Sequence, residues 1–328
     1  MNTQERKYRG WTWKSFALST MILAGGPSCV HPTEAPVMAV ADGPASPKEE
    51  PLPQAQLRVL ETYQFSALDY FVHSEGGFST IRMPIWVGIY SHPTEGLVLI
   101  DSGYPSRTGV DPNSYPGLFQ QVALGLEAEE GRSVADRLHE IGQTPSDVRH
   151  IIITHMHSDH VGGVEDFPEA KIWVHPDELV AFDHGGLFSG YIRETLSQRE
   201  LHTIDLSKSK PYPPFEESID LFEDGSLILL PTPGHTAGHM SVLASVPGHT
   251  FLFLGDSAWT NRHWQEPSPK SALISIVEEH DWKNNMDVLW RIKSYSQSHP
   301  ETVIIAGHEE NAMAGQRQWP APYPDTQQ

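Results

Sequence analysis

Four short apolar runs, at 148–153, 227–230, 251–254 and 303–306, recur along the chain. Each is bounded by turn residues and lacks polar alternation, which predicts strands buried on both faces. Two further runs, 85–90 and 97–100, are separated by His92-Pro-Thr-Glu-Gly96 and predict a hairpin that ends at Asp101-Ser-Gly103. Helical spacing appears over 134–141, closed by Gly142. It appears again where Trp282, Met286, Leu289 and Ile292 occupy i, i+4, i+7 and i+10 of one apolar face, so both Trp282 and Met286 are expected in the core. Strands interleaved with helices predict a layered α/β domain. The stretch 104–130, rich in Pro, Gly, Ser and Asn, predicts a long loop of the kind that forms a lid or substrate wall.

The first fifty residues do not fit that pattern. Arg6, Lys7, Arg9 and Lys14 precede a short apolar stretch at 16–24 and then small residues up to Cys29, the layout of a secretory signal peptide over 1–29. The protein is therefore expected to be exported, to the periplasm or beyond. Cys29 resembles the lipid-attachment cysteine of bacterial lipoproteins, which implies a membrane anchor. Six prolines between His31 and Pro53 predict a linker over 30–56. The folded part is expected at 57–315, with 316–328 as a C-terminal tail.

Composition narrows the function. Acidic residues outnumber basic ones 42 to 22, for a net charge of −20, so no broad positive surface awaits a phosphate backbone and nucleic acid is an unexpected partner. No apolar run approaches the ~18–20 residues of a membrane span. A single cysteine permits no intramolecular disulfide, and any metal site must use histidine and carboxylate ligands.

There are 18 histidines, and their spacing is informative. The 148–153 run leads into His155-Met-His157-Ser-Asp159-His160-Val-Gly-Gly163. On a helix His155 and His157 would point about 200° apart, whereas in an extended segment they face one side. Four candidate ligands within six residues exceed what one tetrahedral ion with an open position needs, so two adjacent metals are expected. The other three buried runs end in Gly followed by His235, Asp256 or His308. Such glycines let the backbone turn and aim the next side chain over the sheet edge, where open α/β folds gather ligands. Five His and two Asp are thus expected to converge.

These residues resemble the metallo-β-lactamase superfamily of di-metal hydrolases, which implies an αββα sandwich over about 57–315. The resemblance assigns His155, His157 and His235 to one metal, and Asp159, His160 and His308 to the other, with Asp256 bridging. Zn2+ suits that donor set, and iron or manganese fit the same ligand types. The implied chemistry is hydrolytic: two cations lower the pKa of a bridging water to supply hydroxide, which Asp159 and Asp256, the catalytic pair, orient while accepting or relaying its proton. Asp101 is expected to orient a ligating histidine, and His239 to support the centre by a hydrogen bond. The remaining histidines, among them His73, His92, His150, His175 and His263, read as surface or satisfied interior residues.

Within the superfamily, His157 disfavours the flavodiiron redox proteins, which carry Glu there, and Asp256 counts against the zinc β-lactamases, which use Cys or Ser in that area. The stretch Thr232-Pro-Gly-His235-Thr-Ala-Gly-His239-Met-Ser241 looks most like the N-acyl-homoserine lactonases, which quench quorum sensing by opening a lactone ring. The expected partner is a small ester or lactone, with substrate held by the insertions at 104–130 and 181–193. Those lactonases place tyrosine three residues after the bridging aspartate; here Trp259 stands in its place, and an indole N–H donates but does not act as a phenol does. Trp259, Phe182, Phe188 and Tyr191 are the substrate-binding candidates, with ordinary packing an equal reading for the last three. A glyoxalase-II-like thioesterase or other esterase, a β-lactamase and a non-catalytic metal-binding relative are the alternatives. Oligomeric state has no signal in the sequence.

Overall fold

In the computed structural model the described residues are 52–324, apart from 112, 118–120, 122–124, 185–189, 193–195, 197–198 and 278. The leader with Cys29, most of the Pro-rich linker, Phe188 and the last four residues lie outside them.

Two sheets form. The first has the order β4-β1-β2-β3-β5-β6-β7, from β1 (Gln56–Leu68), β2 (Thr80–His92), β3 (Gly96–Ile100), β4 (Leu126–Glu127), β5 (Val148–Ile152), β6 (Lys171–Val174) and β7 (Leu201–Thr203). The second has the order β13-β12-β11-β10-β9-β8, from β8 (Lys210–Tyr212), β9 (Phe215–Asp220), β10 (Leu227–Pro231), β11 (Met240–Val246), β12 (His249–Phe253) and β13 (Val303–Ile305). The expected hairpin is β2–β3, paired from Gly88–Ile100 to His92–Gly96.

The unbroken apolar runs follow from what covers each face. In β3, Val98 and Ile100 join Leu229, Val242, Phe251 and Phe253 of the other sheet in one core cluster. Leu97 and Leu99 point the other way, onto Leu138, Val161, Val164 and Phe182. The outer face of the second sheet packs Leu230, Leu243 and Leu252 against Met286, Leu289 and Ile292 of the helix Trp282–Ser298. Helices therefore cover both sheets from outside, and the architecture is the αββα sandwich. Burying each such aliphatic side chain contributes about 1.5–3 kcal/mol.

Several elements differ from the sequence reading. The expected helix at 134–141 is α-helical only over Val134–Arg137, with a Ser133/Asp136 capping box, and tightens to a 3-10 turn over Leu138–Ile141 before Gly142 at φ +71°. The 104–130 stretch holds a short helix, Ser106–Val110, and β4, which pairs with β1 through Phe65 and Leu126. Two residues are too few to show a period. Trp282 is partly buried at the rim of its cluster. Residues 316–324, set apart as a tail in the sequence, pack on the first sheet: Tyr323 is buried and exchanges two backbone hydrogen bonds with Leu57, at 2.8 and 2.7 Å. No described helix is long and apolar enough to cross a membrane.

Candidate metal centre

Strands β3, β5, β6 and β7 run parallel, as do β12 and β13, so their carboxyl ends open onto common rims. Past the end of β5 the chain bends at Thr154, passes His155 and reaches His157 at φ −67°, ψ 155°, the residue before the one-turn helix Ser158–Val161 that carries Asp159 and His160. His235 lies between β10 and β11, Asp256 in the 3-10 turn Gly255–Ser257 after β12, and His308 just beyond β13. Glycine is required where these turns touch. A Cβ on Gly307 would stand 2.3 Å from Asp256 Oδ1, and Gly234 holds φ +151° with a Cβ position 2.5 Å from the Asn285 backbone nitrogen.

The structure brings all seven side chains together. Among the described residues, the groups of His, Cys, Asp and Glu able to share an ion are His155, His157, His235 with Asp256, and Asp159, His160 with His308, each with ligand atoms within 4.8 Å. Asp256 faces both. Its Oδ2 lies 3.8 Å from His155 Nε2 and 3.5 Å from His235 Nε2, and its Oδ1 lies 3.2 Å from His160 Nε2 and 3.3 Å from His308 Nε2. Asp159 Oδ2 is 3.4 Å from His308 Nε2 and 3.6 Å from His160 Nε2.

This donor set fits divalent cations. His155 Nε2, His160 Nε2 and Asp256 Oδ1 are buried without a hydrogen-bond partner. Orphaned polar atoms are costly in a protein interior, and one in each group together with the carboxylate between them mark a centre built for ions. Charge is arranged to match. Burial pushes His155 and His235 well below the usual histidine range and His157 to about 4, so the first group offers neutral imidazoles, the form that binds metal. Burial opposes protonation of His160 and His308 too, but Asp159 and Asp256 outweigh it and raise both. Burial likewise opposes ionisation of Asp256, and His308 with His160 overcomes it, holding the carboxyl well below its ordinary value.

Supporting residues fix each ring. Asp101, at φ +60°, accepts Thr154 N at 2.8 Å and Thr154 Oγ1 at 2.9 Å, and its Oδ2 holds His160 Nδ1 at 2.8 Å. His308 Nδ1 donates to the Pro84 carbonyl at 3.0 Å. His239 is not among the converging groups. Its Nε2 accepts the backbone N–H groups of Asp256 and Ser257 at 3.0 and 3.2 Å, so Nδ1 carries the proton toward Thr232 Oγ1, and burial holds the ring neutral at about 3.

The substrate-binding candidates are placed differently from one another. Trp259 Nε1 donates to Asp256 Oδ2 at 2.7 Å, so its one N–H serves the central carboxylate. Phe182 lies in the core on the outer face of the first sheet, edge-on to Tyr191. Tyr191 packs 5.1 Å from the His157 ring and donates to Glu178 Oε1 at 3.2 Å.

Glu178 escapes the sequence reading. It is buried, and besides Tyr191 it accepts Met156 N at 2.9 Å, Thr236 Oγ1 at 2.7 Å and Gly238 N at 3.1 Å, which joins the His155–His157 segment to the His235 loop. The motif Pro176-Asp-Glu178 reads as an ordinary acidic first helical turn, and only the fold turns Glu178 inward. A second such group links Asp69 to His73 at 2.5 Å, His73 to Thr260 Oγ1 at 2.7 Å and Thr260 to His263 Nδ1 at 3.1 Å. Burial, with His73 and Lys270 adding to it, holds His263 neutral well below its usual range. An unfolded chain protonates this ring near pH 6.5, so the stability it contributes is present above that pH and is lost as pH falls below it. Denaturant unfolding of metal-free protein is expected to show a midpoint that falls from pH 7 to 5, with a shallower fall in His263→Gln by up to about 1.4 kcal/mol per pH unit. Equal slopes would contradict it.

A family model for the metallo-beta-lactamase superfamily matches residues 82–308. The N-acyl homoserine lactonase AttM of Agrobacterium fabrum is 27% identical over 253 residues, covering 76% of this chain and 91% of that protein. An N-acyl homoserine lactonase of Bacillus cereus is 22% identical, covering 73% and 87%. Among solved structures, an N-acyl homoserine lactone hydrolase with N-hexanoyl-L-homoserine at its catalytic metal centre superposes with a TM-score of 0.67 at 21% identity, covering 83% of this chain and all of that one. The dizinc quorum-quenching lactonase AidC superposes with a TM-score of 0.55 at 15% identity, covering 83% and 90%.

Proposed function

This chain belongs to the metallo-beta-lactamase superfamily, and from that premise we propose that it is a di-metal hydrolase that opens a lactone, an N-acyl-homoserine lactone before other esters. The observation that carries the metal part is the trio of orphaned ligand atoms on His155, His160 and Asp256. The lactone part is supported by similarity to AttM along 91% of that enzyme.

His155, His157 and His235 would hold one cation, Asp159, His160 and His308 the other, and Asp256 would offer one oxygen to each. When bound, such a pair, zinc by donor type, supplies Lewis acidity that polarises a carbonyl and makes hydroxide available at neutral pH. The residues do the rest. Trp259 holds Asp256 in its two-sided orientation through Oδ2. Asp159, with 13% side-chain exposure against 5% for Asp256, is the carboxylate nearer solvent and is placed to hold a proton and pass it to the departing alkoxide. The basic leader with its apolar stretch is read as an export signal, with Cys29 as an anchor point.

The test is a panel of an acyl-homoserine lactone, S-lactoylglutathione and a β-lactam, run with metal-loaded protein and followed by acid release or ring absorbance. Lactone turnover that disappears in His157→Ala is expected. Turnover of the thioester alone would move the assignment to a glyoxalase-II-like enzyme, and turnover of the β-lactam alone to an antibiotic hydrolase.

A further inference from the structure

The metal rim leaves one strongly charged pair unexplained. Lys270 and Glu279 meet at 2.9 Å with side-chain exposures of 1% each, although neither is a candidate ligand. Burying two charges is expensive, and a pair so placed has to make good contacts with everything around it. Two of the Lys270 donors are taken by Glu279 and by the Asp256 carbonyl at 2.8 Å, and its Nζ stands 3.2 Å from the His235 ring at Nδ1. The same ammonium sits 4.9 Å over the Trp259 ring, the side chain that holds Asp256 Oδ2. Its backbone is pinned by a bridge to His73.

Glu279 grips from the other side. Its Oε1 also accepts Asn285 Nδ2 at 3.2 Å, and that amide donates to the Ser257 carbonyl at 3.0 Å. The next two residues tie down the His235 loop through the backbone, His280 N to His235 O at 2.9 Å and Asp281 N to Gly234 O at 2.8 Å. The loop bearing His235 and the turn bearing Asp256 follow different strands, β10 and β12, with β11 between them. The ion pair spans the gap.

We propose that Lys270 and Glu279 are positioning residues, a buried crosspiece that sets the His235 loop and the Asp256 turn at the separation the first metal group requires. The proposal rests on the metal-centre reading above and is independent of the substrate. Positioning through the Asp256 carbonyl and the backbone ties to the His235 loop governs metal retention, whereas a purely structural pair would govern folding alone.

Two variants of the full chain separate these roles, with Zn2+ as the probe. Lys270→Met leaves Glu279 buried without its partner and is expected to lower the thermal midpoint of the metal-free protein. Lys270→Met/Glu279→Gln removes both charges, keeps an acceptor for Asn285 and is expected to regain most of that midpoint. Chelator competition should nevertheless show the first zinc bound roughly 10–100-fold more weakly in the double variant than in the wild type, the range for lost supporting contacts. A double variant with wild-type zinc affinity overturns the crosspiece. So does one whose midpoint stays as low as that of Lys270→Met, because weakened binding would then report damaged folding. A wild-type chain that takes up no zinc instead overturns the metal-centre reading itself.

Discussion

Asp256→Ala is expected to cut bound metal from about two ions per chain to one or none and to lower kcat/KM at least a thousandfold, on the order of 4 kcal/mol of transition-state stabilisation. The size of the effect follows from position. Among the described residues Asp256 alone has an oxygen toward each group, Oδ2 toward His155 and His235, Oδ1 toward His160 and His308. Removing it takes a negative charge from between four imidazoles and leaves Trp259 Nε1 without its acceptor. Loss of a peripheral ligand would spare one group; loss of Asp256 disturbs both. Metal analysis after dialysis, paired with lactone kinetics, checks the expectation. A variant that still holds two ions and turns over lactone within tenfold of wild type would remove Asp256 from the centre of the mechanism.

Glu178→Ala is expected to destabilise the fold by about 3–5 kcal/mol, since four donors, on Met156, Thr236, Gly238 and Tyr191, are left in the interior at roughly 1–3 kcal/mol for each that finds no water. At this chain length that is a fall of about 10 °C in the unfolding midpoint. Burial raises the pKa of Glu178 and the hydrogen bonds from Met156, Thr236, Gly238 and Tyr191 work against that rise. Glu178→Gln keeps the shape but turns one acceptor into a donor, so it should fall between wild type and alanine. Calorimetry on the metal-free proteins measures both. Midpoints within two degrees of wild type for Glu178→Ala would show that water or a shifted loop satisfies those donors, and that the carboxylate does not clamp the ligand loops.

Much of the sandwich was legible in the chain because its central strands are buried on both faces. A run such as 97–100 needs no partner to announce itself when both Val98 and Leu99 must be apolar. Strand β11 (Met240–Val246) was not recognised, although it is the centre of the second sheet: Ser241 and Ser245 interrupt its apolar run, and their suitability depends on neighbours, Ser241 Oγ donating to the Leu254 carbonyl. Strand β1 alternates buried with half-exposed positions and begins where the domain was placed, but its partner β4 is two residues long and lies at the far end of the 104–130 stretch. The helix expected over 134–141 shortens because its second half tightens onto Gly142, a change of hydrogen-bond register that leaves the apolar spacing nearly intact.

The candidate ligands were legible for a related reason. His155, His157, Asp159 and His160 are close in sequence, and the requirement that two histidines at i and i+2 face one side already demands an extended segment. His235, Asp256 and His308 each follow a glycine at the end of an apolar run, a local signature that needs no knowledge of the partner strands. Trp259 is instructive in the other direction. Its place three residues after Asp256 suggested a substrate contact, but the turn folds its N–H back onto Asp256 Oδ2. Phe182, an aromatic beside a glycine pair, went to the core because Tyr191 and the outer face of the first sheet close over it.

The order of residues by itself thus determined the α/β layering and the identity of the seven convergent side chains, since spacing, turn glycines and apolar runs are properties of neighbours in the chain. Only the tertiary structure decided that Asp256 shows one oxygen to each group, that Glu178 turns inward and that Lys270 and Glu279 meet beneath the rim. Those facts depend on which buried donor finds which acceptor across strands far apart in sequence, and burial makes each such pairing obligatory without making it local.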